Sequence, residues 1–472
     1  MSKKNIQKRN KLVPFIVVFV LCFSLFSLLF IQVENDYFWH IKAGEFMFHN
    51  HLLKKDVFSW IAYNHKWISH EWLFELLLYS LKLLFPNIHL LVYCFLSLCL
   101  LLLTLFFTNK EKYLKNIPFT LLWIAMSVIL FPFLCGRPSL LSFNFLSLTI
   151  FLLYDNYHNK DSKYIYFLPL IAIVWANFHG GSSNLIYLFC FLFYICCFFN
   201  FDFKKIYSNS IDKKQRRRYL IVMFLSMLCI NLNLHGFNMF IYPYQNMMDT
   251  TMLQAISEWQ PTNLNDITHY SYIILVLLIF CVFIFSRKKI NFLDILLFLV
   301  SVYLGFKSIR FWPYTYIIMS YVVFEYISVY KIDSGTNLVL LFSSFCLLLL
   351  FVFNVPNILS AVKKNYVSSS MIETIQQKNP KRLYNDYNIG GELLYHDILV
   401  FIDGRADLYS SLNLKDYLLI NSTSGNYLSL IDKYNFDYFI VEKESDMDYY
   451  LNSNDSYQVI FADSNYNLYC KA

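Results

Sequence analysis

Apolar runs of close to twenty residues recur along this 472-residue chain, and nothing else in it constrains the fold as strongly. A helix crossing the hydrocarbon core of a bilayer needs about 20 such residues. Runs near 13–33, 88–108, 117–134, 138–155, 164–178, 183–200, 219–235, 270–286, 291–306, 312–330 and 337–354 reach or approach that length. Only 15% of residues are charged, against about 25% in soluble domains. The sequence therefore predicts an α-helical polytopic membrane protein of about eleven spans. The first run follows a basic leader, residues 1–12. It is longer than the roughly 7–15 residues of a signal-peptide core, and no small-residue cleavage site follows, so it is expected to be a span with the leader in the cytoplasm.

Charge predicts the topology. From residue 361 onward, 10 Lys and Arg stand against 15 Asp and Glu, a net −5, while the preceding part carries 29 against 17, a net +12. The excess sits in short loops at Lys110–Lys115, Lys160–Lys163, Lys204–Arg218 and Arg287–Lys289. Such loops anchor on the cytoplasmic side, so this charge is no sign of nucleic-acid binding. All four fall inside if the amphipathic segment 71–86 lies at the surface without crossing. Every polar motif below then faces outward.

The longest polar insertion among the runs is Glu34–Trp72. It carries Glu34, Asp36, His40, Asp56, Ser59, His65, His70 and Glu71 among Trp and Phe rings. An interfacial loop with an aromatic belt would account for the rings alone. Acids at the end of a span are costly in lipid unless they face water or a partner, which makes use the default reading. Asp36 is thus a candidate general base, or with Glu34 a ligand for a divalent cation such as Mg or Mn. Trp39, His40, His70, Glu71 and Trp72 suit the faces and hydroxyls of a sugar, and Asp56 is a further candidate for binding it. His70-Glu71 is not a zinc motif, since no second His lies four residues on.

Further along, Arg137 after Cys135-Gly136, and Lys307 with Arg310 before Trp312-Pro313, place cations at outer span ends. Such groups fit a phosphate or carboxylate as well as a headgroup contact. Trp175-Ala176-Asn177-Phe178-His179-Gly180-Gly181 breaks an apolar hairpin with polar groups, so Asn177 and His179 are expected to line protein or water. Residues 236–262 read as a second interfacial loop with a short amphipathic helix. The 11 cysteines show neither zinc spacing nor a disulfide framework. No P-loop, GxGxxG or GxSxG motif supports nucleotide or serine-hydrolase chemistry.

From about Ala361 short strands and helices alternate, predicting a small C-terminal α/β domain over 361–472, beyond a membrane domain over 13–360. Strands are expected at Ile398–Ile402 and Tyr438–Val441, and the final YQVIFADSNYNLYCKA as a hairpin turning near Asp463-Ser464-Asn465. Asp403 and Arg405 are expected to pair and fix a loop.

Taken in order, Asp36-Tyr37-Phe38-Trp39-His40 with Gly44, Asp56-Val57-Phe58-Ser59, Trp67 and His70-Glu71-Trp72 resemble the first outer loop of bacterial polytopic proteins classed with GT-C glycosyltransferases. The stretch 175–181, Glu258-Trp259-Gln260, and the tail segments Asn385–Gly391 and Asp403–Tyr409 are similar to the same group. The resemblance implies a GT-C-like membrane fold and inverting sugar transfer from a polyprenyl-phosphate carrier at the outer membrane face. It gives Asp36 the role of base or metal ligand, with Glu34 where relatives often show Asp. Asn35 replaces a common Pro, and Asn233-Leu234-His235-Gly236 departs from an Asn-Pro-x-Gly pattern.

The resulting expectation is a plasma-membrane glycosyltransferase with its C-terminal domain outside. Its partners would be a lipid-linked sugar donor, membrane lipids and a glycan, lipid or protein acceptor. Arg137, His179, Lys307 or Arg310 would clamp the lipid phosphate. The rival readings are a flippase or transporter, which would tolerate loss of Asp36, and an envelope scaffold. Abundant Lys, Asn, Ile, Phe and Tyr with few Gly and Pro point to an AT-rich bacterial genome.

Overall fold

The computed structural model describes residues 11–327, 336–363 and 365–471. Most of the basic leader and residues 328–330 of one expected run lie outside the described residues. A helix occupies each of the eleven apolar runs, but the runs are not equal as spans. Among the described residues, four helices are long and apolar enough to cross a membrane: Val13–Phe30, His89–Thr108, Ile267–Phe285 and Asn337–Ala361. Ile117–Phe133, Tyr164–Phe178 and Gly180–Cys196 are apolar but shorter. The count of about eleven spans is therefore not established. One reason is local: the run from Ile117 tightens into a 3-10 turn from Met126 around Pro132, which has no N–H to continue an α-helical ladder. The Thr336–Ala361 helix packs on Val13–Ser27 and leaves Leu338, Phe342, Phe345 and Phe353 exposed. Apolar surface of that extent on a helix is what lipid contacts cover.

The four basic loops meet one another. Lys112 pairs with Glu325 at 2.6 Å, and Lys288 approaches the same carboxylate at 3.9 Å. Strand β1 (Phe201–Phe203) pairs antiparallel with β2 (Ile206–Ser208), and β2 pairs parallel with β3 (Ile290–Asn291). Arg218 donates to the Lys160 carbonyl at 2.8 Å. This small ribbon was not visible as a strand pattern in the sequence.

Two apolar cores share the outer loop. The Asn35–His49 helix sends Tyr37, Phe38 and Ile41 into the helical bundle. Its Trp39, Ala43 and Met47, spaced at i, i+4, i+8, join the core of the C-terminal region with Phe58, Trp67, Val400 and Phe439. The helix Trp72–Leu84 packs against Asn35–His49. Gly44 makes that approach possible, since a Cβ there would overlap the Glu75 carbonyl oxygen.

The C-terminal region has a four-stranded mixed sheet in the order β4-β5-β7-β6. Strand β4 (Leu383–Asn385) runs parallel to β5 (Tyr438–Glu442), which pairs antiparallel with β7 (Tyr466–Lys471). The expected final hairpin is β6 (Tyr457–Ala462) with β7. Ile398–Ile402 is not a strand of this sheet, which corrects the sequence reading. Its one bridge is with the 34–72 loop, between Ser59 and Val400: Trp60 N–H donates to Val400 O at 3.1 Å, and Val400 N–H to Phe58 O at 3.3 Å.

Candidate functional site

Asp36 lies in the first turn of the Asn35–His49 helix, directly after the first apolar run. Its Oδ1 accepts from Trp39 Nε1 at 3.0 Å, and its Oδ2 lies 2.6 Å from Arg137 Nη2. Arg137 follows Gly136 in the turn before the Ser139–His158 helix. It also meets Glu34 through Nε at 2.7 Å, close in charge but not aligned as a hydrogen bond, and Glu258 through Nη1. Glu34 and Asp36 keep 21% and 20% of their side-chain surface exposed. Burial raises the Glu34 carboxyl to about 7 against the lowering pull of Arg137. Burial also works against the Arg137 charge, but the three carboxylates hold it firmly protonated.

A second cluster surrounds Glu71. His70 Nε2 lies 3.1 Å from Glu71 Oε1, His179 Nε2 3.5 Å from the same oxygen, and His40 Nε2 3.4 Å from Oε2. Burial opposes the His70 charge, yet Glu71 outweighs it and lifts the imidazole to about 9. Glu71 itself is held well below the usual carboxylate range, chiefly by His70 working against burial. His179 differs: burial drives it down to about 3, with Arg310 adding to the effect. Arg310 Nη2 lies 3.0 Å from His179 Nε2 and can only donate, so Nε2 is the acceptor. His179 Nδ1–H then donates to Ser142 Oγ at 2.6 Å. Asn177 is satisfied structurally, accepting from Trp72 Nε1 at 3.0 Å and donating to Leu232 O at 3.0 Å.

The structure thus gathers Asp36, Glu34, Trp39 and Arg137 in one cluster, and His40, His70, Glu71, His179 and Arg310 in a neighbouring one. Asp56 belongs to neither. It is fully buried, and its Oδ1 accepts from Arg405 Nη1 at 2.5 Å. Lys307 is exposed and has no ion pair among the described residues. Arg137 is already committed to three acids, so of the four expected phosphate cations Arg310 is the one that joins a cluster with no carboxylate partner among the described residues. Its guanidinium sits 5.7 Å from the Trp259 ring centre. Glu258, Glu75, Trp259, Tyr242 and Asp407 carried no assigned role in the sequence reading. The sequence signals for Glu258 and Trp259 were their polar, aromatic run inside a loop and their place among the segments that resemble GT-C proteins.

The donor set of Glu34, Asp36 and Glu258 has the hard oxygens a divalent cation prefers. In this arrangement, however, the oxygens close on a guanidinium. Among the described residues, no three His, Cys, Asp or Glu side chains come together in metal-holding geometry. The described residues as placed do not fit a cation.

Fold and composition together define a mostly helical membrane protein with a small strand-containing C-terminal region. Among solved structures, the chain is similar to the archaeal oligosaccharyltransferase AglB from Archaeoglobus fulgidus, in complex with an inhibitory peptide and a dolichol-phosphate. That likeness has a TM-score of 0.52 and 10% identity, and covers 91% of this chain and 69% of the other. The apo crystal structure of the Archaeoglobus fulgidus oligosaccharyltransferase aligns over the same shares at 12% identity, with a TM-score of 0.49. No protein-family model matches the chain, and no curated protein matches its sequence. At these identities the likeness is one of fold.

Proposed function

We propose that this protein is a membrane glycosyltransferase that moves a sugar from a polyprenyl-phosphate carrier to a hydroxyl-bearing envelope acceptor at the outer membrane face, with inversion. The observation that carries the reading is Asp36: an acid at the mouth of the first apolar helix, oriented by Trp39 and Arg137, partly open to water, within a GT-C-type fold. The association of AglB with a dolichol-phosphate supports a lipid-phosphate donor.

The acceptor O–H attacks the anomeric carbon while its proton passes to Asp36. The bond between that carbon and the phosphate oxygen breaks, and the phosphate leaves with the electron pair. Arg137 and Trp39 hold the Asp36 carboxylate aimed before the proton arrives. The leaving phosphate needs positive charge in place beforehand. Arg310, braced by His179 and Trp259, supplies it in this reading, with His70 as a second cation nearby. The lipid tail stays in the bilayer beside the exposed apolar helices.

The test is transfer from radiolabelled polyprenyl-phosphate sugars in proteoliposomes holding wild type or Asp36→Asn. Transfer by wild type and its loss in the variant support the reading. Equal turnover removes Asp36 as the base. Donor binding without transfer by wild type turns the reading toward a flippase or scaffold.

A further inference from the structure

The segment Asp403-Gly404-Arg405-Ala406-Asp407 comes from the far end of the chain, yet it reaches both clusters. Its centre is a clasp. Arg405 donates through Nε to Asp403 Oδ1 at 2.8 Å, through Nη2 to Asp403 Oδ2 at 2.6 Å, and through Nη1 to Asp56 Oδ1 at 2.5 Å. Tyr409 O–H donates to Asp403 Oδ2 at 2.7 Å. The guanidinium lies 4.8 Å from the Trp67 ring centre and 5.3 Å from that of Phe58. Asp56 and Asp403 are fully buried and Arg405 almost so. Well-packed apolar side chains serve stability about as well as a buried ion triad, so such a triad is better explained by a position it fixes.

What it fixes lies one residue away. Gly404 presses its backbone against Asp36: a Cβ there would overlap Asp36 Oδ1 and lie 3.0 Å from Trp39 Nε1. The Gly404 carbonyl is itself held, accepting from Ala406 N–H at 2.9 Å and Tyr387 O–H at 3.2 Å. Asn35, beside Asp36, is sewn to the same domain: its Nδ2 donates to Tyr387 O at 2.8 Å, and its Oδ1 accepts from Gly391 N–H at 2.9 Å. Asp407, at the end of the segment, sits beside His70 and Tyr242.

We propose that the Asp403–Asp407 segment of the C-terminal region completes the transfer site, with Gly404 and Arg405 as positioning residues that set where the Asp36 carboxylate points. The inference rests on the glycosyltransferase reading above. A base must lie within hydrogen-bond reach of the hydroxyl it serves. Three neighbours leave the Asp36 carboxylate no slack: Arg137 on one oxygen, Trp39 on the other, and the bare backbone of Gly404 against the second. A methyl group at 404 displaces the carboxylate and crowds the Trp39 Nε1 that holds it, both of them groups that orient the base.

The test compares full-length wild type, Gly404→Ala, Arg405→Lys and the double variant Asp36→Asn/Gly404→Ala in proteoliposomes. A misplacement of about an ångström costs about 100-fold in rate, so Gly404→Ala is expected to lower kcat by that order with the donor KM almost unchanged. Arg405→Lys, which keeps the charge and loses the fork, is expected to fall between. Gly404→Ala added to Asp36→Asn should cost nothing further, because both act through one carboxylate. Near-wild-type kcat in Gly404→Ala, or full additivity with Asp36→Asn, overturns the proposal. If wild type transfers no sugar, the function reading fails by itself. Hydrogen exchange in the first turn of the Asn35–His49 helix then decides the positional claim: faster exchange in Gly404→Ala upholds it, and unchanged exchange refutes it.

Discussion

Single side chains here do work that their charges alone would not foretell. Arg137 is the plainest case: one guanidinium answers Glu34, Asp36 and Glu258. Removing one partner of a buried ion pair costs about 3–5 kcal/mol, and the 24% exposure of Arg137 argues for the low end of that range. Arg137→Ala is therefore expected to lower the unfolding midpoint measured in lipid, with Arg137→Lys recovering part of it. An unchanged midpoint would mean that solvent already screens the three acids. Asp36→Asn should keep the fold and lose about 10²- to 10⁴-fold in transfer, the range of general acid–base contributions. His70 gives a pH signature. Its folded value of about 9 lies above the ordinary 6.5, so its contribution to stability is complete below 6.5 and fades as pH rises toward 9. Wild type should then lose more stability than His70→Gln between pH 6.5 and 9 and run parallel to it below that window. Parallel melting curves throughout would show that His70 is not held protonated.

Between helices, what mattered was close approach, and the sequence recorded it only in part. Gly44 lets the Asn35–His49 and Trp72–Leu84 helices touch. Overpacking such a contact costs about 1–3 kcal/mol, so Gly44→Ala should destabilise by that amount and Gly44→Val by more, read from thermal unfolding in detergent. The apolar runs were legible as helices because polar backbone in lipid must be paired within its own segment. The outer loop stood out for the same reason, since acids and histidines among apolar runs are costly. The final hairpin was legible from its turn residues. What stayed hidden were partners far apart in sequence. Asp56 looked like a binding residue until Arg405 arrived from the tail to bury it. Ile398–Ile402 had the composition of a strand, but its backbone bonds at Val400 go to Phe58 and Trp60 and those at Phe401 N–H and Ile402 O to the Asn385 side chain, partners which no local pattern specifies. Glu258 reached Arg137 by the same kind of long-range closure.

At the scale of the whole molecule, the question is which end faces which side of the membrane. The four basic loops are tied into one group: Lys112 and Lys288 through Glu325, loops 204–218 and 287–291 through the β2–β3 pairing, and Arg218 through the Lys160 carbonyl. The outer loop and the C-terminal region share a separate core. A chain whose basic loops sit together satisfies the positive-inside rule with one orientation and violates it fourfold with the other. On that rule we propose that the Lys112 and Lys289 loops lie in the cytoplasm and Asp36 with its C-terminal cover outside, where, in the glycosyltransferase reading, a water-soluble acceptor would meet a donor still anchored in lipid. Single cysteines at Tyr63 and Asp455, both exposed, and at Lys160 and Lys289, also exposed, read this directly once the chain's own 11 cysteines are replaced by serine or alanine. A membrane-impermeant maleimide applied to intact cells should label the first pair at once and the second pair only after permeabilisation. Labelling all four in intact cells would break the one-sided grouping of the basic loops. The inverted pattern would put the transfer site in the cytoplasm, where the donor and acceptor would have to be those of the inner leaflet.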